Sequence, residues 1–207
     1  MKTIVCFGDS NTYGYDAVTD GRFDENTRYP GVLRHLAGPD YRIIEEGLSG
    51  RTTVFRDPIN EGMAGLDYLY PCLMSHGPFD ILVIMLGTND CKERFSATPK
   101  NIADGMKRLI EKAKGMPVWT ASPRILLICP PPIQKACESS PVAGEMGICS
   151  RKSHLLGEEY RQLAALEGIE YLDAKDADMN PIDYMHLSAL GHVWLAHRIW
   201  DRIGAEI

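Results

Sequence analysis

Ser10 stands in the run Gly8-Asp9-Ser10-Asn11, directly after an apolar segment, Thr3–Phe7. A serine at the end of a strand and the start of a helix is placed to act as a nucleophile. Helix amides and the positive end of the macrodipole favour negative charge developing there. The hydroxyl is weak until a base takes its proton. His186 is the candidate base, and Asp183, three residues earlier, is the candidate partner for its second ring nitrogen. A tetrahedral intermediate of acyl transfer also needs donors aimed at its oxyanion. The backbone amides of Ser10 and Gly50 and the side-chain amide of Asn89 are candidates for that oxyanion hole. Glycine at 50 lets the backbone approach without a Cβ in the way. Each residue also has a plainer reading. Asp9 and Ser10 can cap a helix, Gly50 can turn the chain, Asn89 can cap a short turn, and Asp183 and His186 can decorate a helix entrance. Capping alone does not require all four in the order Ser, Gly, Asn, Asp-x-x-His, each after a strand.

The positioning elements are legible as alternation. Five short apolar runs read as strands: Thr3–Phe7, Tyr41–Glu45, Ile81–Leu86, Ile125–Cys129 and Glu170–Leu172. ILVIML and ILLIC are continuously apolar, as strands covered on both faces should be. Between them lie amphipathic stretches. The pattern predicts helices over Pro30–Ala37, Leu66–Ser75, Thr98 to about Lys114, and Ser153–Glu167, with a last helix capped by Ser188. The expected buried side of the fourth carries Leu155, Leu156, Leu163 and Leu166. That of the last includes Leu190, Trp194, Ala196, His197 and Ile199. Strand–helix alternation of this kind predicts an α/β fold, a three-layer αβα sandwich on a five-stranded parallel sheet, in one domain spanning 1–207. Its ligand edge is the carboxyl edge, near a switch point of strand order. Two long irregular segments, 51–65 and 130–150, are expected to be walls, lids or subunit contacts.

The four blocks GDSNTYG, GLSGRTT, GTND and DYMH closely resemble the SGNH hydrolases, also called the GDSL family. The likeness runs from residue 8 to residue 186, and EEGLSGRTT looks most like the bacterial arylesterase and acyltransferase branch. The resemblance implies a flavodoxin-like sandwich. It implies Ser10 as nucleophile, His186 as base, Asp183 as its orienter, and Ser10, Gly50 and Asn89 as the oxyanion hole. It implies a serine esterase working through an acyl-serine on a small-molecule ester, with acyl transfer to alcohols as a related outcome, and it suggests a homo-oligomer with the 130–150 loop as a contact. Within the same mechanism stand a carbohydrate O-deacetylase, a lysophospholipase and a thioesterase; short acyl groups are favoured because no long apolar lid is evident. A different class, a flavodoxin-like module binding a phosphate or flavin at Gly8–Gly14, leaves Asn89, Asp183 and His186 unexplained and lacks a glycine-dense phosphate loop. The chain departs from the usual Gly-Asp-Ser-Leu at Asn11.

Substrate contacts are read at Asn11, Tyr13 and Met185, with Tyr15 beside them; core packing is the competing reading for the aromatics. Cys91 would need its own base to act as a nucleophile. Arg28 and Arg51 are either anion contacts or solvated salt bridges. The six cysteines form no Cys-x-x-Cys pair, and the histidines outside position 186 show no metal-ligand spacing, so no metal or cofactor is expected. A Cys137–Cys149 bridge is a minor alternative to free thiols. Several cysteines fall in apolar runs, which suits a reduced, cytoplasmic protein. The net charge of −6 is spread along the chain without a basic block, so nucleic acid is an unexpected partner. No apolar run approaches the ~20 residues of a membrane span, and no signal peptide is evident.

Overall fold

The computed structural model describes residues 1–204. In chain order the first half comprises β1 (Lys2–Gly8), α1 (Ser10–Tyr13), β2 (Tyr15–Asp16), β3 (Gly21–Arg22), α2 (Tyr29–Ala37), β4 (Tyr41–Gly47), α3 (Gly65–His76) and β5 (Ile81–Met85). Then come α4 (Pro99–Lys114), β6 (Ile125–Cys129), α5 (Ala143–Met146), α6 (Ser150–Ser153), α7 (Leu156–Glu167), β7 (Glu170–Asp173) and α8 (Ala189–Ile203). Five strands form one parallel sheet in the order β4-β1-β5-β6-β7, while β2 and β3 make a small antiparallel pair. The sheet is the five-stranded α/β architecture that the alternation of apolar runs predicts. The chain steps one way from β1 to β4, then crosses to the other side of β1 for β5. The carboxyl ends of β1 and β5 are therefore the switch point where α/β sheets bind ligands.

Strand side chains divide strictly by pleat. Val5, Phe7, Leu82, Ile84, Ile125, Leu127 and Cys129 face one core, shared with α3, α4 and α7. Ile4, Cys6, Val83, Met85, Leu126 and Ile128 face the other, shared with α2 and α8. Both faces are covered, which is why the central runs carry no polar alternation. The helices start where local chemistry lets them. Pro30 sits in the first turn of α2, Thr98 and Asn101 close a capping box before α4, and the Ser188 side chain accepts from the Gly191 amide before α8.

Two helix faces differ from the sequence expectation. In α7 the buried stripe is Leu156, Tyr160, Leu163 and Ala164, whereas Leu155 and Leu166 are exposed. In α8 it is Gly191, His192, Leu195, Ala196, Ile199 and Ile203, whereas Leu190 and His197 point to solvent. Tyr160 and His192 explain the shift: each buries a polar ring by finding a hydrogen bond. Tyr160 donates to the Leu86 carbonyl at 3.0 Å, and His192 Nδ1 accepts from the Tyr29 amide at 3.3 Å. The 130–150 segment is less irregular than expected. It holds a 3-10 turn over Lys135–Ser139, then α5. All six cysteines are free and buried, so Cys137 and Cys149 are not bridged.

Candidate active site

Ser10 is the first residue of α1, separated from β1 by Asp9 alone. Asp9 caps the helix, its Oδ1 accepting the Asn11 amide at 2.9 Å, and Gly14 ends it after one turn with φ +85°. His186 lies in the polar turn between β7 and α8. Its Nε2 is 2.7 Å from Ser10 Oγ and its Nδ1 is 2.6 Å from Asp183 Oδ2. All three side chains are buried. With Nδ1–H donating to the carboxylate, Nε2 is left as the acceptor for the serine proton. Burial pushes the Asp183 carboxyl up, but the His186 hydrogen bond and charge, with the Met185 amide and Asn180, outweigh it and hold it at about 2.

A tight local network shapes this turn. Asn180 Oδ1 accepts the amides of Ile182 (2.9 Å) and Asp183 (3.0 Å), while its Nδ2 donates to Asp183 Oδ1 (2.9 Å) and the His186 carbonyl (2.8 Å). Tyr184 sits in the left-handed region at φ +62°, which reverses the chain between Asp183 and His186. Such a residue costs about 1–3 kcal/mol and persists only where its surroundings hold it.

Gly50, at φ +89°, and Asn89 face the same space as Ser10 and His186. Asn89 Nδ2 donates one hydrogen to the Arg51 carbonyl at 3.1 Å, leaving its second hydrogen free for a ligand. Two buried charged groups lock the loops that carry these donors. Arg51 Nη1 donates to the carbonyls of Gly8 (2.9 Å) and Glu46 (2.5 Å), tying the second loop to the first. Asp90 accepts the Thr53 amide and hydroxyl, at 2.9 and 2.5 Å to Oδ1, tying the third loop to the second. Burial raises the Asp90 carboxyl to about 6 despite the Thr53 donors, and burial likewise raises Asp9 to about 6.

These residues floor a cavity of about 270 Å³. Tyr15, Met63, Val142, Met146 and Met185 supply its apolar walls, and Asn60, Lys92 and Glu145 its polar ones. The two long segments of the sequence supply Asn60 and Met63 on one side and Val142, Glu145 and Met146 on the other. An ion-pair network joins them: Arg94 Nη2 to Asp57 Oδ2 at 2.7 Å, Arg94 Nη1 to the Glu145 carbonyl at 3.0 Å, and Lys92 Nζ to Glu145 Oε1 at 2.5 Å.

Of the expected substrate contacts, Met185 lines the cavity, and Asn11 and Tyr13 do not. Asn11 is buried, and its Oδ1 accepts the Leu187 amide at 2.9 Å, bracing the His186 turn against α1. Tyr13 points away beneath Arg22, whose guanidinium lies 4.3 Å from the ring centroid. Tyr15 takes the wall position, its ring 4.7 Å from that of His186. Arg51 is buried and structural, not a solvated salt bridge, and Arg28 is committed to Glu45 at 2.6 Å. Cys91 is fully buried, and burial pushes its thiol well above the ordinary range. Asn180 and Lys92 carry no periodicity or motif in the sequence. The only signal for Asp90 was its place beside Asn89.

A serine hydroxyl linked through an imidazole to a buried carboxylate, at the switch point of a parallel sheet, is the arrangement that serine hydrolases use. Comparison with known proteins places it further. Residues 6–194 match the model of the GDSL-like lipase/acylhydrolase family. The chain belongs to that family and is a carboxylic ester hydrolase. It is similar to Est24, a carbohydrate acetylesterase from Sinorhizobium meliloti, at 36% identity and TM-score 0.91, with 100% of each chain covered. It is similar to the aryl esterase of M. smegmatis at 33% identity and TM-score 0.91, again over 100% of each chain. A putative arylesterase from Agrobacterium tumefaciens str. C58 is 33% identical, with TM-score 0.86 over 98% of this chain and 100% of that one. Comparison with curated proteins returns no match.

Proposed function

We propose that the chain hydrolyses short-acyl esters through an acyl-serine intermediate, with acyl transfer to alcohols as a second outcome. The observation that carries this reading is the hydrogen-bonded series Ser10–His186–Asp183 on the floor of a small cavity. His186 Nε2 takes the hydroxyl proton as Ser10 Oγ attacks the ester carbon. The amides of Ser10 and Gly50 and the free hydrogen of Asn89 Nδ2 receive the oxyanion. The imidazolium, stabilised by Asp183, then protonates the departing alcohol. Water or another alcohol, deprotonated by His186, attacks the acyl-serine and frees Ser10.

About 270 Å³ holds a short acyl chain and part of an alcohol, not a long fatty tail. Asn60, Lys92 and Glu145 offer hydrogen bonds to an alcohol with hydroxyl groups, and the methionines offer apolar contact to an aryl one. The similarity to a carbohydrate acetylesterase and to aryl esterases supports both leaving-group types. Both cores share one sheet, which supports reading the chain as one catalytic domain, and the six free thiols support a reducing, cytoplasmic setting. The exposed Ile148 and Leu155, at and just beyond the 130–150 segment, support a homo-oligomer contact there; light scattering of a single monomeric species would remove it.

The test is an ester panel varied in acyl length and alcohol, with Ser10→Ala as control. Acetyl and other short esters should turn over, with activity lost in Ser10→Ala while the fold persists. Turnover by that variant at the parent rate would overturn the mechanism. A preference for long acyl chains would overturn the substrate class.

A further inference from the structure

Away from the cavity, behind the loop that carries Gly50, three side chains of different elements converge. Glu46 is the penultimate residue of β4. Cys72 and His76 are four apart on α3 and so share one face of the helix. One donor atom from each lies within 4.8 Å of the other two. His76 Nε2 is 2.6 Å from Glu46 Oε1, and the Tyr68 hydroxyl is 3.3 Å from Glu46 Oε2. Cys72 is buried, while the side chains of Glu46 and His76 are 18% and 25% exposed. The group is thus closed on its protein side and open to solvent on the other.

We propose that Glu46, Cys72 and His76 form a binding site for a thiophilic divalent cation of the zinc type, with water completing its coordination. Thiolate, imidazole and carboxylate are all zinc ligands, and three protein ligands with one open position is a usual arrangement for that ion. A single carboxylate with two soft or borderline donors does not suit calcium or magnesium, which demand oxygen. The charge balance fits as well. Arg51 lies close by, its guanidinium 4.4 Å from the Phe7 ring centroid and 5.0 Å from that of Tyr68, tied to the Glu46 carbonyl. A dication held by one thiolate and one carboxylate is neutral overall, one unit more positive than the Glu46 carboxylate and Cys72 thiol it replaces. On binding, the Cys72 thiol proton leaves to solvent. The metal replaces the hydrogen bond between Glu46 and His76, whose facing ring nitrogen becomes a ligand while the other carries the proton. Sequence spacing passes over the site because its third ligand comes from a strand, not from the Cys72–His76 helix.

Cobalt(II), a spectroscopic stand-in for zinc, tests it on protein first treated with chelator. One equivalent should bind, give a near-ultraviolet sulfur-to-cobalt charge-transfer band, and be displaced by zinc. The band should vanish in Cys72→Ser and affinity should fall at least tenfold in His76→Gln, with Ser10→Ala unchanged. Circular dichroism identifies a variant that fails to fold; the remaining one then decides. Absence of the band in the parent protein, its persistence in Cys72→Ser, or parent-like affinity in His76→Gln would overturn the proposal. None of these readouts depends on ester turnover.

Discussion

Asn89 and Asn11 separate two kinds of contribution a single side chain makes to this site. Asn89 keeps one amide hydrogen free beside Ser10 and His186, and the other is held by the Arg51 carbonyl. Asn89→Ala should lower kcat about 10²–10³-fold with little change in KM, because an oxyanion donor acts in the transition state. A steady-state assay on the best short-acyl ester checks it, and an unchanged kcat would remove Asn89 from the oxyanion hole. Asn11 touches no substrate space but accepts the Leu187 amide, one residue past His186. Asn11→Leu places the family's usual residue there and leaves that buried amide unpaired, which costs about 1–3 kcal/mol. Thermal unfolding should show that loss, with kcat reduced by a mispositioned imidazole and KM held. The sequence flags Asn11 as unusual but does not say which way its side chain points. Its partner is far along the chain, and no spacing rule connects them.

At the scale of elements, strands and their loops were the most legible part. The central strands β5 and β6 are continuous apolar sequence, and in a parallel sheet the groups that follow the strands fall on one edge by topology alone. Helix faces were harder to read. Tyr160 and His192 count as polar in a periodicity, yet both are buried because each finds a hydrogen bond, and that rotates the buried stripes of α7 and α8. Of the cavity walls, Met185 and Tyr15 were legible from their places beside His186 and Ser10, and the parts from the two long segments were not. What orders them is the pairing of Asp57, Lys92, Arg94 and Glu145, contacts between loops with no local signature. Arg94→Ala cuts the link from Asp57 to the Glu145 backbone. KM for the best ester should rise up to roughly tenfold, about 1.4 kcal/mol, while kcat stays near the parent value. A drop in kcat with constant KM would mean that the network positions the chemistry and not the wall.

Across the whole molecule, buried carboxyls set how stability responds to pH. Asp9 and Asp90 are raised to about 6 by burial, so the folded chain holds protons there that the unfolded chain releases near 3.8. Their contribution is fully present below about pH 4 and is lost as pH rises through about 6. A two-unit shift corresponds to about 3 kcal/mol at most for each. Asp183, held at about 2, works in the opposite sense: its contribution is present above about pH 4 and is lost as pH falls towards 2. Asp9→Asn should therefore gain stability over the parent as pH rises from about 4 to about 7, read from denaturant midpoints across that range. A difference that does not vary with pH would show that Asp9 ionises freely in the folded protein.

The hydrogen bonds from Ser10 to His186 and from Asn11 to Leu187 both span 176 positions of chain. During synthesis Ser10, the proposed nucleophile, leaves the ribosome 176 residues ahead of His186, its proposed base. A nascent chain therefore carries an inert serine until α8 and the turn before it have docked. Ester turnover, or labelling of Ser10 by a serine-directed probe, then serves as a clock for completed folding, silent in every earlier intermediate, whatever secondary structure it has already gained.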